Sequence, residues 1–258
     1  MQNQEQASST ALLAMEVSLY FVQNIDDLLA RFRPGEASDS ILPKESGSFP
    51  CQTGGDYEAT QVGTTVTLLY HDCKEQRSED SSESKTTFSS KKVKNGSITF
   101  TRAHLKEYEK AYQIRFEMHT EYEDSDKDHF SQSAVMEGIY GNQGKIATTF
   151  TNLHLEIMDQ GRWYGEDYQY KLLTQDFTVT RNEKGALQYQ GNLVTQGKDY
   201  ETRPLLEGEI SLLPSSTPFV INSQGEFTDG SIRMIGDRKT EIFLTFQDGE
   251  IWTSLGGD

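Results

Sequence analysis

The stretch from Tyr112 to Tyr122, YQIRFEMHTEY, alternates between apolar or uncharged residues and polar or charged residues. Side chains on a β-strand point alternately to opposite faces of a sheet, so this pattern predicts one long strand with a dry face and a wet face. We expect Phe116 and Met118 to lie inside, and Arg115 and Glu117 to lie outside. Because parallel sheets are usually covered on both faces, one-sided alternation indicates an antiparallel sheet.

An apolar segment near the N-terminus predicts a single strong helix. This helix spans Thr10 to Phe32 and ends at Pro34 and Gly35, and its polar residues form only a narrow stripe. A helix with so wide an apolar surface needs cover on several sides. The alternative is a helix on a membrane surface, but such helices are usually rich in Lys and Arg, and this stripe is largely acidic. A helix buried in the core is therefore favoured.

The rest of the chain is punctuated by turns. Gly35 to Pro50 is rich in Gly, Ser and Pro and predicts a linker, so residues 1–50 form the helix and linker and residues 51–258 form a β-sheet domain, together one structural domain. Lys74 to Ser90 is rich in Ser, Glu and Asp and predicts a loop. The basic cluster from Lys91 to Lys94 follows it and is interpreted as a solvated loop as well.

Several predicted strands change phase along their length. Between Lys145 and Met158 the apolar residues switch from even to odd positions, which predicts a bulge near Thr151 and Asn152. A similar switch occurs farther along the chain, where the apolar residues Tyr168, Tyr170 and Leu172 are at even positions and Phe177 and Val179 are at odd positions. Bulges bend sheets, so we predict a mainly β fold: a large, curved, antiparallel, half-barrel-like meander packed around one N-terminal α-helix.

Charge and composition exclude several classes of partner. The chain has 40 acidic and 24 basic residues, a formal net charge of −16 and a pI near 4.7. Phosphate backbones and anionic lipid headgroups repel such a surface, so we expect no nucleic acid partner. No run of about 18 uncharged apolar residues occurs, so we expect no transmembrane segment. No cofactor is expected, because the sequence has no P-loop, no dinucleotide-binding glycine set and no metal-binding histidine motif.

The two cysteines, Cys51 and Cys73, lie beside predicted strands and leave two alternatives open. A pair that flanks one hairpin can form a disulfide, which needs an oxidising compartment and adds about 3 kcal/mol of stability by the loop-entropy model. The alternative is two buried free thiols in a cytosolic protein. A zinc site is disfavoured, because two cysteines without a nearby pair of histidines supply only half of the usual ligands.

The N-terminal residues Met1 to Gln6 lack the basic region that begins a signal peptide. We expect an export signal to have been removed upstream of this chain, which would place the protein in the periplasm or outside the cell. The alternative is a true cytosolic N-terminus.

Three acidic residues in the run DSDKD, namely Asp124, Asp126 and Asp128, alternate like the ligands of a calcium loop. In such a loop the sixth position is Gly and the twelfth is Glu, whereas here they are His129 and Val135. The departures favour a solvated acidic turn between two strands, and we predict no metal.

Acid–base candidates also occur on strands. His154 and Glu156 alternate on one predicted strand, and Glu117, His119 and Glu121 alternate on another. Either group can line a polar catalytic surface. A wet sheet face needs such residues in any case, and no nucleophile motif accompanies them, so we predict no catalytic residue.

The densest aromatic stretch contains Trp163, Tyr164, Tyr168 and Tyr170. Exposed aromatic rings beside carboxylates can stack on sugars or contact a protein partner. The alternative is aromatic pairing between neighbouring strands, which stabilises a sheet without any ligand. The pairing alternative is favoured, and the four residues are the candidate ligand or partner surface.

Three segments carry a family resemblance: CQTGG from Cys51, VTLLYHDC ending at Cys73, and NGSITF from Asn95. With the N-terminal helix, they resemble a group of uncharacterised bacterial exported proteins and lipoproteins that have a paired CxxGG and Cys and repeated Gly-Ser-hydrophobic strands. The likeness covers roughly residues 10–100. It implies a periplasmic or surface β-protein with Cys51 and Cys73 bridged, and it implies no activity.

These observations lead to a functional expectation of a non-enzymatic bacterial envelope protein. In the first hypothesis its concave sheet binds a hydrophobic small molecule such as an acyl chain, by analogy with carrier folds of this shape. In the second it is a surface adhesion or assembly module that contacts another envelope protein through strand edges or the aromatic stretch. An enzyme is a third alternative and would need a site assembled from distant residues.

Overall fold

The fold is known from a computed structural model of the chain. The structure describes residues 6, 8–17, 19–20, 46–80, 87–106, 108, 110–142, 147–199, 204–205, 208–213, 217–222, 227–236, 241–248 and 250–256. Residues 6, 8–17 and 19–20 are helical and form α1. The predicted continuation of this helix to Phe32 lies outside the described residues.

All other regular structure in the described residues is β. The strands are β1 (Gly47–Pro50), β2 (Gly54–Val62), β3 (Thr65–Asp80), β4 (Thr87–Ala103), β5 (Lys110–Asp124), β6 (His129–Asn142), β7 (Ala147–Trp163), β8 (Glu166–Asn182), β9 (Leu187–Lys198), β10 (Gly208–Leu213), β11 (Val220–Ile221), β12 (Phe227–Gly236), β13 (Glu241–Gln247) and β14 (Glu250–Gly256).

The strands form one antiparallel sheet of 14 strands that is not closed into a barrel. Each strand pairs with the next along the chain, except that β10 pairs with β12 and the short β11 lies beside β12. Strands β1 and β14 are the two ends of this path. The predicted fold class, a large antiparallel meander with one N-terminal helix, is confirmed.

The two faces of β5 follow the alternation of its sequence. Met118 is 7% exposed, and Phe116 packs against the core. The side chains of Arg115 and Glu117 are 62% and 60% exposed and form an ion pair on the outer face. Period-two alternation therefore assigned the dry face correctly. The dry face continues across five strands, because these residues lie side by side in register: Leu68, Ile98, Phe116, Met136 and Leu155.

The helix lies in the hollow of the sheet. The five consecutive residues from Ala11 to Met15 are each at most 7% exposed, and about 3.6 residues complete a helical turn, so this part of α1 is covered on all sides. Ser8 hydrogen bonds to Thr253 of β14, whereas Tyr20 lies near Lys92 of β4. Because β4 and β14 belong to opposite halves of the sheet, the sheet must curl around the helix to reach both of its sides.

Both predicted bulges are present. Asn152 has a φ of 51° and the pairing of β7 with β8 shifts register between Phe150 and Leu153. Asp176 has a φ of 49°, and the pairing of β8 with β9 shifts between Gln175 and Thr178. The extra residue of a bulge bends its strand and moves later side chains to the other face. These bulges give β7 and β8 the curvature that lets the sheet enclose α1.

The disulfide between Cys51 and Cys73 is present, with the two Cα atoms 5.4 Å apart. Cys51 directly follows β1 and Cys73 lies within β3, so the bond joins the end of the sheet to its third strand. A disulfide fits an oxidising compartment such as the periplasm or the extracellular space. Among the described residues, no helix has the length and apolar composition to cross a membrane.

The prediction of a loop from Lys74 to Ser90 is wrong throughout its described part, residues 74–80 and 87–90. Strand β3 continues to Asp80 and β4 begins at Thr87, with Glu75 opposite Lys92 and Gln76 opposite Lys91. The basic cluster is therefore a strand segment rather than a solvated loop. Cross-strand pairing of opposite charges stabilises these strands despite their polar composition: the ammonium of Lys94 lies 2.7 Å from the carboxylate of Glu75.

Gly47–Pro50, placed in the linker by composition, form β1.

Candidate functional site

A cavity of about 290 Å³ lies between α1 and the inner face of the sheet. We call it the helix–sheet cavity. The helix lines it with one face of its second half, namely Leu13, Glu16, Val17 and Tyr20. Five consecutive strands, β4 to β8, supply the other wall, namely Lys92, Thr120, Phe130, Gln132, Ile157, Asp159, Trp163, Tyr168 and Tyr170.

Strand register brings the polar part of this wall together. Thr120, Gln132, Asp159 and Tyr170 lie opposite one another on β5, β6, β7 and β8. Residues directly opposite in an antiparallel pair project to the same face, so all four side chains belong to the inner face. The row forms a polar band across the inner face of the sheet.

Asp159 is the most unusual residue of the band. It is a carboxylate that is only 6% exposed. Gln132 donates a hydrogen bond to it at 2.7 Å, and the hydroxyls of Tyr168 and Tyr170 donate at 3.0 and 3.2 Å. The backbone N–H of Gln160 is a further donor. All of these donors are neutral, so the carboxylate is hydrogen bonded but its charge is not compensated by them.

Burial changes the acid–base properties of this group. Desolvation raises the pKa of Asp159 above its usual value, and the hydrogen bonds from Gln132, Tyr168 and Tyr170 only partly oppose that effect. Burial, and then the charge of Asp159, also raise the pKa of Tyr168. The hydroxyl of Tyr168 therefore stays protonated and donates a hydrogen bond to the carboxylate.

Three of the four predicted aromatic residues line the helix–sheet cavity: Trp163, Tyr168 and Tyr170. Tyr168 and Tyr170 stack with ring centroids 6.4 Å apart, and Trp163 lies 6.0 Å from the ring of Tyr122. Tyr164 is separate, because it occupies the turn between β7 and β8 and is 84% exposed. Aromatic pairing and cavity lining therefore involve the same side chains, and their role toward a ligand remains a prediction.

The mouth of the cavity is marked by two residues that are more exposed than its floor. Tyr20 is 46% exposed. The ammonium of Lys92 lies 6.0 Å from the centre of the Tyr20 ring, within reach of a cation–π interaction. The cavity thus has a cationic side chain at its entrance and a carboxylate at its floor.

A larger, open depression of about 660 Å³ lies against the outer face of β4 to β8. Its walls include Lys91, Glu121, Glu123 and His129, all of which are exposed. Hydration satisfies such side chains without a ligand. The helix–sheet cavity is the stronger candidate, since pockets for small molecules are concave, mostly apolar and supplied with a few placed polar groups.

The acid–base candidates lie on the outer face. Glu156 is paired with Lys171, and the ammonium 2.8 Å away holds the pKa of Glu156 below its usual value. His119 lies 3.0 Å from the hydroxyl of Ser133 and 3.6 Å from the carboxylate of Glu121. Glu117 pairs with Arg115. These ion pairs and polar contacts are typical of a solvated sheet face.

The run from Asp124 to Asp128 forms the turn between β5 and β6. The carboxylate of Asp124 accepts hydrogen bonds from the backbone N–H groups of Asp126 and Asp128 at 2.9 and 3.0 Å. Asp128 accepts one from the backbone of Tyr164 at 3.1 Å. These carboxylates hold the turn together, and the described part of the chain contains no group of three or more metal-ligand side chains arranged around an ion.

Sequence reasoning missed Asp159, although a signal was present. After the predicted bulge at Asn152 the inner face of β7 takes the odd positions Leu153, Leu155 and Ile157, and the next odd position is Asp159. A carboxylate in phase with a dry face is anomalous and marks a candidate site. The contribution of α1 could not be found this way, because it depends on where the helix lies in the hollow.

Comparison with known protein families, curated proteins and solved structures finds no match to this chain. The candidate site therefore has to be interpreted from its own geometry.

Proposed function

We propose that this chain is a non-enzymatic binding protein of the bacterial envelope that holds a small, largely apolar molecule in the helix–sheet cavity. The observation that carries the proposal is the cavity itself, which combines apolar and aromatic walls with one buried polar band. Protein interiors are otherwise close-packed, and a site of this composition is typical of small-molecule binding.

Three further observations support this function over catalysis, an envelope location and an apolar, non-phosphate ligand. The histidines and carboxylates considered as acid–base groups face solvent on the opposite side of the sheet from the cavity. The Cys51–Cys73 disulfide fits an oxidising compartment. The formal net charge of −16 disfavours nucleic acid and acidic lipid as partners.

The test compares two variants that introduce the same side chain at different places. Val17 lines the cavity, so Val17→Trp should fill it, whereas Val62 is 80% exposed at the end of β2 and Val62→Trp should not. Binding is measured with N-phenyl-1-naphthylamine, a neutral apolar dye that fluoresces when it leaves water. Native mass spectrometry of gently purified wild-type protein looks for a co-purified ligand in parallel.

We expect saturable dye binding to the wild type and to Val62→Trp, and at least about tenfold weaker binding to Val17→Trp, because a filled cavity loses its apolar contacts. Circular dichroism checks that both variants are folded. The proposal fails if the wild type shows no saturable binding, or if a folded Val17→Trp variant binds the dye as well as the wild type.

A second candidate function is assembly through the end of the sheet. Strand β14 pairs with β13 and is the last strand of the path among the described residues. Ile251 and Trp252 within it are 47% and 58% exposed. An apolar end strand is a template for strand addition, and β14 contains no Pro or Lys that would oppose it, whereas the other end strand contains Pro50.

The partner that best fits β14 is a second copy of the same strand. Antiparallel pairing centred on Thr253 places Ile251 opposite the second copy's Leu255 and Trp252 opposite the second copy's Ser254. Its one charged residue, Glu250, then lies opposite Gly256, so no like charges face each other. The native mass spectra described above also test this candidate, because it requires a dimer that Trp252→Lys abolishes, and a monomer at all concentrations contradicts it.

A further inference from the structure

We propose that the ligand of the helix–sheet cavity is an organic ammonium ion, a cationic nitrogen joined to a small apolar body, with the nitrogen held beside Tyr168 and Asp159. The inference rests on the proposed binding function and specifies the chemical class of the ligand. It is carried by the arrangement of donors, acceptors and charges around the cavity.

The hydrogen-bonding pattern at the floor selects for a donor. A phenol has one hydrogen to donate, and Tyr168 and Tyr170 each direct theirs to the carboxylate of Asp159. What the phenol oxygen of Tyr168 can still offer a ligand is therefore an acceptor. Hydrogen bonds in such a chain polarise one another, so donation to a carboxylate makes the phenol oxygen a better acceptor.

The charge at the floor selects for a cation. Asp159 is nearly buried, and its hydrogen-bond donors are all neutral. Removing a charge from water without a partner of opposite sign is costly, and a buried carboxylate is normally paired or coordinates a metal. A cation beside the polar band would supply the missing charge. Glu16 adds a second carboxylate to the lining from the helix side.

Thr174 and Asp159 are both buried polar residues of the sheet, but their side chains make different kinds of hydrogen bonds. Thr174 is also fully buried, but its hydroxyl accepts from the N–H of Leu155 and donates to the carbonyl of Leu153 at a bulge. It thus replaces interrupted ladder bonds. Asp159 lies in a regular stretch of the β7–β8 ladder. Three of its four donors are the side chains of Gln132, Tyr168 and Tyr170, and the fourth is the backbone N–H of Gln160, so its hydrogen bonds are mainly to other side chains and not to an interrupted ladder.

The aromatic walls fit the same class of ligand. The faces of Trp, Tyr and Phe rings attract cations, and several rings around one site form the cages that recognise alkylammonium groups. Trp163, Tyr168, Tyr170 and Phe130 all line the cavity. The ring of Tyr20 is already within 6.0 Å of the Lys92 ammonium, so this lining contacts a cation in the protein itself.

Lys92 also orients the ligand. Its ammonium is at the mouth, beside the half-exposed Tyr20, whereas Asp159 is at the floor. A ligand cation is repelled from the mouth and attracted to the floor, so the nitrogen should enter first and the apolar body should lie between α1 and Ile157.

The test uses three probes that share a six-carbon skeleton and differ in charge: n-hexylammonium, 1-hexanol and hexanoate. The sequence has two tryptophans, so in a Trp252→Phe background the fluorescence of Trp163 reports binding at the cavity wall. Dissociation constants are measured at constant low ionic strength and near-neutral pH. All variants are built in this background and checked for folding by circular dichroism.

We expect hexylammonium to bind roughly 10- to 100-fold more tightly than hexanol, which is the size of a hydrogen bond to a charged group, and hexanoate to bind most weakly. Asp159→Asn should lose that advantage while its affinity for hexanol is unchanged. Glu156→Gln is the matched control, since it removes a carboxylate from the outer face of the same strand, and it should behave like the background.

Lys92→Gln should bind hexylammonium more tightly by about 2- to 5-fold, as expected for removing a partly screened like charge.

Each other outcome overturns the inference in a distinguishable way. Equal binding of hexylammonium and hexanol, or tightest binding of hexanoate, contradicts the ammonium inference and leaves the apolar binding function in place. Failure of all three probes, together with failure of the naphthylamine dye, contradicts both. If Asp159→Asn does not fold, the ranking of the three probes and the response of Lys92→Gln still decide, and an unchanged affinity in Lys92→Gln counts against the inference.

Discussion

The buried carboxylate of Asp159 is costly for the fold, whereas the proposed function gives it a role. An apolar side chain of similar size would pack against Ile157 and the aromatic wall without the cost of desolvating a charge. The structure instead surrounds the carboxylate with four neutral donors. Burial and hydrogen bonding oppose each other here, and burial prevails, as the raised pKa of the carboxyl shows.

The raised pKa of Asp159 predicts the sign of a pH effect on stability. The folded state binds a proton on this carboxyl at pH values where the unfolded chain, with a pKa near 3.8, does not. The stability from this group is therefore fully present below the unfolded pKa and is lost as the pH rises through the folded pKa. Urea denaturation should be measured at pH values from below 3.8 upward through the raised pKa of the folded state. As the pH rises, the free energy of unfolding of the wild type should fall relative to that of Asp159→Asn.

Glu156 supplies a control of opposite sign on the same strand. Lys171 lowers its pKa below the usual 4.5, so its contribution is present above the unfolded pKa and is lost as the pH falls through the folded pKa. The wild type should therefore gain stability relative to Glu156→Gln as the pH rises. A flat or rising difference between the wild type and Asp159→Asn would contradict the role of burial at Asp159.

At the scale of elements, the bulges of β7 and β8 bend the sheet so that it can enclose α1. A bulge leaves backbone groups of the ladder without their regular partners, and when buried these groups must be satisfied in another way. The fully buried hydroxyl of Thr174 does this at the β7 bulge, with distances of 2.8 Å to the nitrogen of Leu155 and 2.9 Å to the oxygen of Leu153.

Thr174→Val keeps the shape of the side chain and removes both hydrogen bonds. We expect it to lower the free energy of unfolding by about 2–4 kcal/mol, because each buried backbone group left without a partner costs roughly 1–3 kcal/mol. Chemical denaturation provides the measurement. Thr174→Ser, which keeps the hydroxyl, should lose much less, and Thr60→Val, at an exposed position of β2, should stay within about 0.5 kcal/mol of the wild type. Equal losses in the Val and Ser variants would show that the hydroxyl does not support the bulge.

At the scale of the whole molecule, stability depends on the helix filling the hollow of an open sheet. The core is one cluster that joins α1 residues with apolar residues from nearly every long strand. Because the sheet is not closed, its inner face would be solvated if the helix were absent. The helix is thus a structural part of the core and, through Leu13, Val17 and Tyr20, also one wall of the candidate site.

This arrangement predicts a large loss of stability on truncating the centre of the helix. Met15 is fully buried, and Met15→Ala should lower the free energy of unfolding by about 2–5 kcal/mol through the cavity it leaves. Met158 is 52% exposed on the outer face of β7, and Met158→Ala should change it by less than about 0.5 kcal/mol. Both are measured by urea denaturation. Similar small effects for the two variants would mean that α1 does not pack in the sheet as described.

Local patterns in the sequence were sufficient for the β architecture. The alternation from Tyr112 to Tyr122 assigns the faces of β5, and the phase changes predict one bulge near Thr151 and Asn152 and another between Leu172 and Phe177. Both signals are local, because the direction of a side chain on a strand depends only on its own backbone. The same reasoning failed for Lys74–Asp80, where a polar composition predicts a loop but pairing with the basic segment of β4 stabilises a strand.

The amino-acid sequence by itself therefore determined the fold class, the dry and wet faces, the bends and the plausibility of the disulfide. Only the tertiary structure decided which residues meet in the hollow. The helix–sheet cavity joins Leu13 and Tyr20 of α1 to Asp159 and Tyr170, which are far away along the chain. Periodicity carries no information about such distant contacts, because they depend on how far the whole sheet curls and where the helix comes to rest within it.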